Sequence, residues 1–445
     1  MERYSEYQDT GIAWMPSIPS HWKYLQFRGL FSITKRIAGR QGLDVLAVTQ
    51  RGIKVKDVES NEGQIAADYS NYQIVEPGDF AMNHMDLITG FVGISPQYGV
   101  TSPDYRVFKN TNPLANSRYY LYLFELCYKL RIFYGLGHGV SNKGRWRLPA
   151  PIQNRFTIPL PPLAEQEKIV SYLESKTSKI DAYVADKEKE IQLLQELKQK
   201  TIAEAVTKGL NPNVKMKDCR TTFFGQIPAH WEERKMKYCF TERSEKNHPD
   251  EPILCATQSQ GVIPQSMYQN RVVVVNKGFE GLKFVKVGDF VISLRSFEGG
   301  IEYAYYQGII SAAYTILTPK DAACAEYFKF LFKCHPFIQV LQTCVTGIRE
   351  GQNINYQMLG RKFIPLPPID EQRAIVSYIE EKCQKIETLT TELQAEIDYL
   401  KEYKQRLIAD VVTGQVNVAQ SESKGNLFTL PSQSNVNEVN VQNEM

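Results

Sequence analysis

The chain says nearly the same thing twice. Ile158–Lys168 reads IPLPPLAEQEK and Ile364–Arg373 reads IPLPPIDEQR, and each runs into the same four residues, IVSY, at 169–172 and 375–378. These copies lie 206 positions apart. IPSHW at Ile18–Trp22 returns as IPAHW at Ile227–Trp231, and Gly78-Asp79-Phe80 returns as Gly288-Asp289-Phe290, with offsets of 209 and 210. Three echoes at one near-constant offset predict a tandem duplication of about 200 residues. Such a chain folds into two similar halves, and it suits a partner that also has two halves or comes in two copies.

The bulk numbers bound the rest. A length of 445 residues allows two to four domains, each burying its own core. With 43% hydrophobic and 23% charged residues the composition is that of a soluble globular protein. No apolar run approaches the ~18–20 residues of a membrane span. The opening MERYSEYQDT lacks a signal-peptide core. The eight cysteines show neither CxxC pairs nor zinc spacing, which predicts free thiols and a cytoplasmic location. Net charge is only +3, but its distribution is uneven. Lys23–Arg155 carries 17 basic and 10 acidic residues, and Glu232–Lys362 carries 16 and 13. Positive charge therefore gathers in the regions between the repeated motifs.

Each LPP motif marks a change of character. The prolines end a strand and disfavour helix immediately before them. A proline-free and glycine-free stretch follows, Ala164–Lys208 in one half and Asp370–Thr413 in the other. Good helix formers fill both, acidic residues open them (Glu165, Glu167; Asp370, Glu371), and Gly209 and Gly414 close them. A heptad-like register runs through Leu173, Ile180, Val184, Ile191, Leu194 and Ala205. Its counterpart is Ile379, Ile386, Thr390, Ile397, Leu400 and Val411. Lys187, Lys198 and Lys404 interrupt these seams. The pattern predicts two long helices pairing as a coiled coil.

The intervening regions read as mixed α/β (α+β) bodies. Strand-like runs occur at 72–75, 91–94, 105–108, 271–275, 290–294 and 313–317, and helical periodicity at 117–134 and 322–342. The tail from Gln415 is rich in Ser, Asn, Gln and Val, which predicts disorder.

The chemistry-bearing motifs that are missing also inform. There is no GxxxxGK[ST] loop, no Gly-rich dinucleotide fingerprint, no HExxH pair, and no Asp-Pro-Pro-Tyr or Asn-Pro-Pro-Phe tetrapeptide of the amino-methyltransferases. Two of only six histidines, His21 and His230, belong to the IP-x-HW repeat and read as structural. Polar clusters in turn-rich segments are instead candidates for reading DNA bases. Ser141, Asn142, Lys143 and Arg145 lie in the Gly-rich stretch GLGHGVSNKGRW, with Arg349, Gln352 and Asn353 as positional counterparts. Gln50, Arg51 and Lys54 pair in the same way with Gln258 and Gln260. A third cluster holds Asn83, His84 and Asp86, and Arg295 stands near its counterpart. Arg and Lys suit guanine O6 and N7, Asn and Gln suit adenine N6 and N7, and glycines let backbone approach phosphates.

The doubled IP-x-HW, the doubled PLPP-x-x-EQ opening and the stretch PGDF…NHMD…GVTSPDYRVF resemble the specificity subunit of type I restriction-modification systems. The resemblance covers about residues 1–414. It implies target-recognition domains at 1–160 and 213–366, spacer helices at 161–212 and 367–414 pairing as an antiparallel coiled coil, and a disordered tail at 415–445. It further implies that each domain reads one half of a split double-stranded DNA site, and that the helices set the gap and dock two methyltransferase (modification) subunits, which restriction subunits join. The chain itself would then be non-catalytic and without cofactor or metal. S-adenosylmethionine would sit in the methyltransferase partner, and ATP and Mg in the restriction partner. The second body lacks the SPDY match and the NHMD cluster, so the site read should be asymmetric. Residues alone leave two rivals open: a fused methyltransferase or nuclease with an unrecognised active site, and a coiled-coil scaffold that binds protein only.

Overall fold

The computed structural model describes residues 2–58, 66, 68–139, 146–268, 278–320, 325–347 and 353–418. It divides into two compact units, one formed by Met1–Ala185 with Ile397–Met445 and the other by Asp186–Glu396. Each unit holds one globular body and portions of the two long helices, Leu163–Lys208 and Ile369–Val412.

The first unit is built on a four-stranded antiparallel sheet in the order Phe31–Thr34, Arg106–Asn110, Phe80–Met82, Val92–Ile94. Large aromatics alternate onto one face of it, as a half-buried sheet requires. Phe31, Phe80 and Phe108 meet Phe124 and Tyr120 of the helix Ser117–Lys129, with ring centroids 4.9–6.1 Å apart. Asn116 caps that helix by accepting from the backbone N–H groups of Arg118 and Tyr119. The helical periodicity at 117–134 breaks at Arg131, whose φ of 57° is left-handed, so a separate turn, Ile132–Gly135, follows. A hairpin of Leu46–Thr49 and Gly52–Val55 stands beside the sheet, and Gln73–Val75 pairs with Gly99–Thr101.

The second unit repeats the plan. Its sheet runs Phe240–Arg243, Thr315–Pro319, Phe290–Ile292, Glu302–Tyr303, also antiparallel. Its hairpin is Leu254–Thr257 with Gly261–Pro264. Phe240, Phe290, Phe328 and Phe332 form the aromatic centre. The helix expected over 322–342 is two pieces, Ala325–Leu331 and His335–Gln342, because Pro336 cannot continue the first and sits instead in the opening turn of the next. All named strand pairs in both units are antiparallel, which places the fold in the α+β class. The strand-like run at 271–275 lies outside the described residues.

The repeated motifs lock onto each other. In the first unit Lys23–Gln26, following IPSHW, pairs with Thr157–Leu160, the strand that the LPP prolines end. His21 Nε2 lies 2.9 Å from a carboxylate oxygen of Glu165, in the first turn of the long helix. Gln166 is buried, donates to the carbonyls of Leu114 and Pro161, and accepts from Asn116 N–H. In the second unit Glu232–Lys235 pairs with Phe363–Leu366, His230 Nε2 lies 2.8 Å from Glu371, and Gln372 donates to Pro367 O. Both histidines are thus structural, and the EQ dipeptide is what ties body to helix.

Each body is closed by the end of the other repeat's helix. The Tyr119 hydroxyl donates to Val412 O, and Gly414 sits where a Cβ would fall 2.9 Å from Trp22. In the second unit the Tyr327 hydroxyl donates to Val206 O, and a Cβ on Gly209 would lie 3.2 Å from Trp231. Both glycines adopt φ near +74°, the left-handed helix stop that glycine takes without steric cost. Trp22 and Trp231 are each 1% exposed.

The helical seam holds in part. Leu173, Ile180 and Val184, with Ile397, Leu400 and Val411, are buried in the first unit; Ala205, Ile379 and Leu393 are buried in the second. Ile191, Leu194, Ile386 and Thr390 are only half-buried. The polar interruptions are interhelical ion pairs: Lys404 with Asp181 in the first unit, and Lys187 with Glu396 and Lys198 with Glu387 in the second. In the latter two the partner number falls as the first rises, so the pairing is antiparallel.

The predicted disorder from Gln415 does not hold for its first four residues. Gln415 donates to Ser17 O, Asn417 N–H bonds Glu2 O, and Val416 and Val418 are buried. The apolar valines bury against the first body, which the polar composition of the tail concealed. Residues 419–445 lie outside the described part. No described helix is long and apolar enough to cross a membrane.

Candidate nucleic-acid interface

The two hairpins carry the second pair of clusters. Gln50 and Arg51 form the exposed turn of the first, and Lys54 projects exposed from its returning strand. Gln258 and Gln260 flank Ser259 in the exposed turn of the second. The turns are locked alike. Thr49 Oγ1 donates to Gly52 O and accepts from Arg51 N–H; Thr257 Oγ1 donates to Gly261 O and accepts from Gln260 N–H. Gly52 and Gly261 have φ of 96° and 73°, conformations that side-chain-bearing residues avoid. Neither Arg51 nor Lys54 meets a carboxylate among the described residues, so both charges are available to an anionic partner.

The third cluster is spent largely on its own loop. Asn83 Oδ1 accepts from the N–H groups of Met85 and Asp86. Asp86 accepts from Ile88 and Thr89 N–H and from the Thr89 hydroxyl. Short polar side chains commonly close turns this way. Asn83 Oδ1 and the Asp86 carboxylate thus serve to close their own loop. His84 is mostly buried and its pKa is pushed down to about 4, first by burial and then by the Arg106 and Arg147 charges, so it is neutral near pH 7. It lines a cleft of about 240 Å³ with Lys35, Arg106 and Arg147. Arg106 is buried and committed to Leu148 O and Gln153 Oε1, whereas Lys35 and Arg147 are exposed.

Arg295 occupies the matching place in the second unit, exposed after the strand Phe290–Ile292. Ser293 and Ser296 close this loop as Asn83 does the other. Arg295 and Gln258 line one cleft of about 500 Å³ with Tyr268 and Tyr314, so two candidates from separate segments meet there. Asn353 is exposed in a short strand paired with Val345–Thr346. Ser141, Asn142, Lys143, Arg145, Arg349 and Gln352 lie outside the described residues.

The third echo proves to be framework. Asp79 and Asp289 of the Gly-Asp-Phe repeat are buried, pair with Arg36 and Arg243, and accept from Glu76 and Lys286 N–H respectively. Sequence reasoning missed Lys35, Arg147, Tyr268, Tyr314, Glu302 and Lys333. The last was within reach: at the duplication offset Lys333 aligns with Glu125, a charge reversal directly after a shared aromatic (Phe332, Phe124). Seven free cysteines are described, six of them buried. No group of three or more His, Cys, Asp or Glu suited to a metal ion occurs among the described residues.

Comparison with known proteins gives this geometry its class. Residues 53–193 match the family model for the Type I restriction modification DNA specificity domain. The chain is 22% identical over 428 residues to the putative type I restriction enzyme MjaX specificity subunit of Methanocaldococcus jannaschii, covering 90% of this chain and 95% of that one. It is 20% identical over 272 residues to the EcoKI specificity subunit of Escherichia coli, 59% of this chain and 58% of that one. In fold it is similar to a chain from a structure concerned with complex assembly and conformational transition of the type I R-M system, with a TM-score of 0.65, 16% identity and coverage of 90% and 99%. The HsdS subunit from Thermoanaerobacter tengcongensis gives a TM-score of 0.50, again at 16% identity, with coverage of 90% and 98%. Over most of its length the chain is thus similar to the specificity subunits of type I restriction-modification systems.

Proposed function

We propose that the two bodies read the two different halves of one split, asymmetric double-stranded DNA site. One observation carries this reading: two hairpins with matching Thr–Gly locks present different tips, Gln-Arg in one and Gln-Ser-Gln in the other, with an exposed basic residue near each, Lys54 and Arg295. A common scaffold with unlike polar tips suits two distinct targets. Exposed Lys35 and Arg147 would contact phosphates and set the register, while Arg51 and Lys54 in the first body and Gln258 and Arg295 in the second would discriminate base edges. The paired helices would act as the spacer and dock two methyltransferase subunits, with restriction subunits joining that core in the cytoplasm. S-adenosylmethionine would belong to the methyltransferase partner, and ATP and Mg to the restriction partner. Single-molecule methylome sequencing of cells expressing this chain with its methyltransferase subunit tests the reading. A new bipartite motif with unlike halves and a fixed gap is expected; no new motif from a folded complex would defeat it.

A further inference from the structure

The second unit contains a partly buried ion pair, with no counterpart among the described residues of the first unit, placed against the tip of its hairpin. Lys333 Nζ donates to Glu302 Oε1 at 2.6 Å, to Gly299 O at 2.9 Å and to Gln258 O at 3.2 Å. Three bonds use all three ammonium hydrogens, so the side chain is fixed rather than swinging. Its three acceptors come from three places: the edge strand Glu302–Tyr303, the helical turn Ser296–Gly299 and the hairpin turn. Glu302 is 2% exposed, and its Oε2 is buried without a hydrogen-bond partner among the described residues. A buried carboxylate left half-satisfied costs stability, and stability alone does not account for retaining it.

The strand registers identify what stands there in the first unit. Glu302 pairs with Val291 as Gly93 pairs with Ala81. A Cβ on Gly93 would fall 2.9 Å from Ile53 Cγ1, so the first hairpin rests on glycine through direct apolar contact. The Lys333 position holds Glu125, for which burial raises the pKa. Among the described residues the first hairpin therefore has no comparable polar strut.

We infer that Lys333 and Glu302 are positioning residues for base discrimination by the second body, holding the Gln258 turn and the loop after Arg295 in fixed relation around the cleft they share. This inference rests on the reading of the two bodies as half-site readers and names the residues that set one of the two specificities. Gln258 and Arg295 stand on separate segments, and Lys333 bonds the backbone of one and, through Gly299, the helical turn that Arg295 opens. Loss of the strut would let the two move apart, and a displacement of about 1 Å is enough to forfeit a hydrogen-bonded discrimination worth about tenfold or more.

The test uses the complex of this chain with its methyltransferase subunits. Competition binding is measured with duplexes carrying the full site and with duplexes altered at single positions in either half. The half read by the first body is identified as the one whose binding Arg51→Ala weakens. Lys333→Met is expected to reduce discrimination in the other half by about tenfold, with the first half unchanged, and Lys333→Arg to restore part of it. Glu302→Gln, which keeps a neutral acceptor, is expected to lose less than Lys333→Met and serves if that variant fails to fold. Unchanged discrimination in a folded Lys333→Met complex, or equal loss in both halves, would overturn the inference and leave the half-site reading intact. A parent complex with no half-site preference would overturn both.

Discussion

The two bodies agree where the backbone must be held and differ where a ligand would be met. Arg36–Asp79 in one is Arg243–Asp289 in the other, Tyr119 to Val412 O is Tyr327 to Val206 O, and His21–Glu165 is His230–Glu371. Around the hairpins this correspondence stops. Gly93 and Glu125 stand against Glu302 and Lys333, and Asn83 and Asp86 against Ser293 and Ser296. Duplication kept the His–Glu pair, the tyrosine-to-carbonyl bond and the strand pairing that tie body to helix, while the surroundings of the hairpins diverged. The buried framework tolerates little change, because native packing and satisfied polar groups are lost together.

Variants at matched positions can break or sharpen that comparison. The largest effect belongs to Trp22→Ala or Trp231→Ala. Each empties a site at which a tryptophan is 1% exposed, for an expected loss of about 3–5 kcal/mol. Hydrogen exchange should show the loss confined to the body that carries the substitution; equal loosening of both would mean the units do not fold as separate cores. Next comes Asp289→Asn, which removes the charge facing Arg243 and disturbs acceptors for Thr318 Oγ1 and Lys286 N–H. Stripping one member of a buried pair costs about 3–5 kcal/mol, and Asp79→Asn should match it within about 1 kcal/mol in denaturant unfolding. Unequal losses would show that the echo is not equivalent in energy.

Glu302 predicts a smaller, pH-dependent effect found in one unit only. Burial raises its pKa from 4.5 to about 7, and Lys333 opposes the rise. A carboxyl whose pKa is raised on folding binds its proton more tightly in the folded state, so ionising it costs stability. That cost is absent below about pH 4.5 and complete above about pH 7. The stability of the parent relative to Glu302→Gln should therefore fall between pH 5 and pH 8, by an amount on the order of 3 kcal/mol. A difference that stays flat across this range would show that Glu302 ionises as an exposed carboxyl does. The smallest effect is expected at His21 and His230, whose side chains are about half exposed. Replacing either with alanine should cost under about 1 kcal/mol.

Much of this architecture was legible in the sequence, for physical reasons. The long helices declare themselves through periodicity, acidic openings and terminal glycines, and their observed bounds fall within one or two residues of the glycine-free and proline-free stretches. The α+β bodies and the tandem repeat were equally open to reading. What stayed hidden depends on partners distant in sequence. No local pattern says that the Asn83 and Asp86 side chains will bond their own loop, or that Val416 and Val418 will bury in the first body. Helix breaks at Arg131 and Pro336 were masked by apolar periodicity that continues across them. The charge reversal at Lys333 was legible, but its pairing with Glu302 was not, because the two are 31 residues apart.

The central claim is that the two bodies read different half-sites independently. The most direct measurement is the methylated motif written in cells by the complex carrying the parent chain, Arg51→Ala with Lys54→Ala, or Arg295→Ala. The account predicts a bipartite asymmetric motif for the parent. The first pair of substitutions should weaken or degrade one half only and Arg295→Ala the other half only, with the gap unchanged in both. A motif with two identical halves, or substitutions in one body that degrade both halves alike, would contradict it.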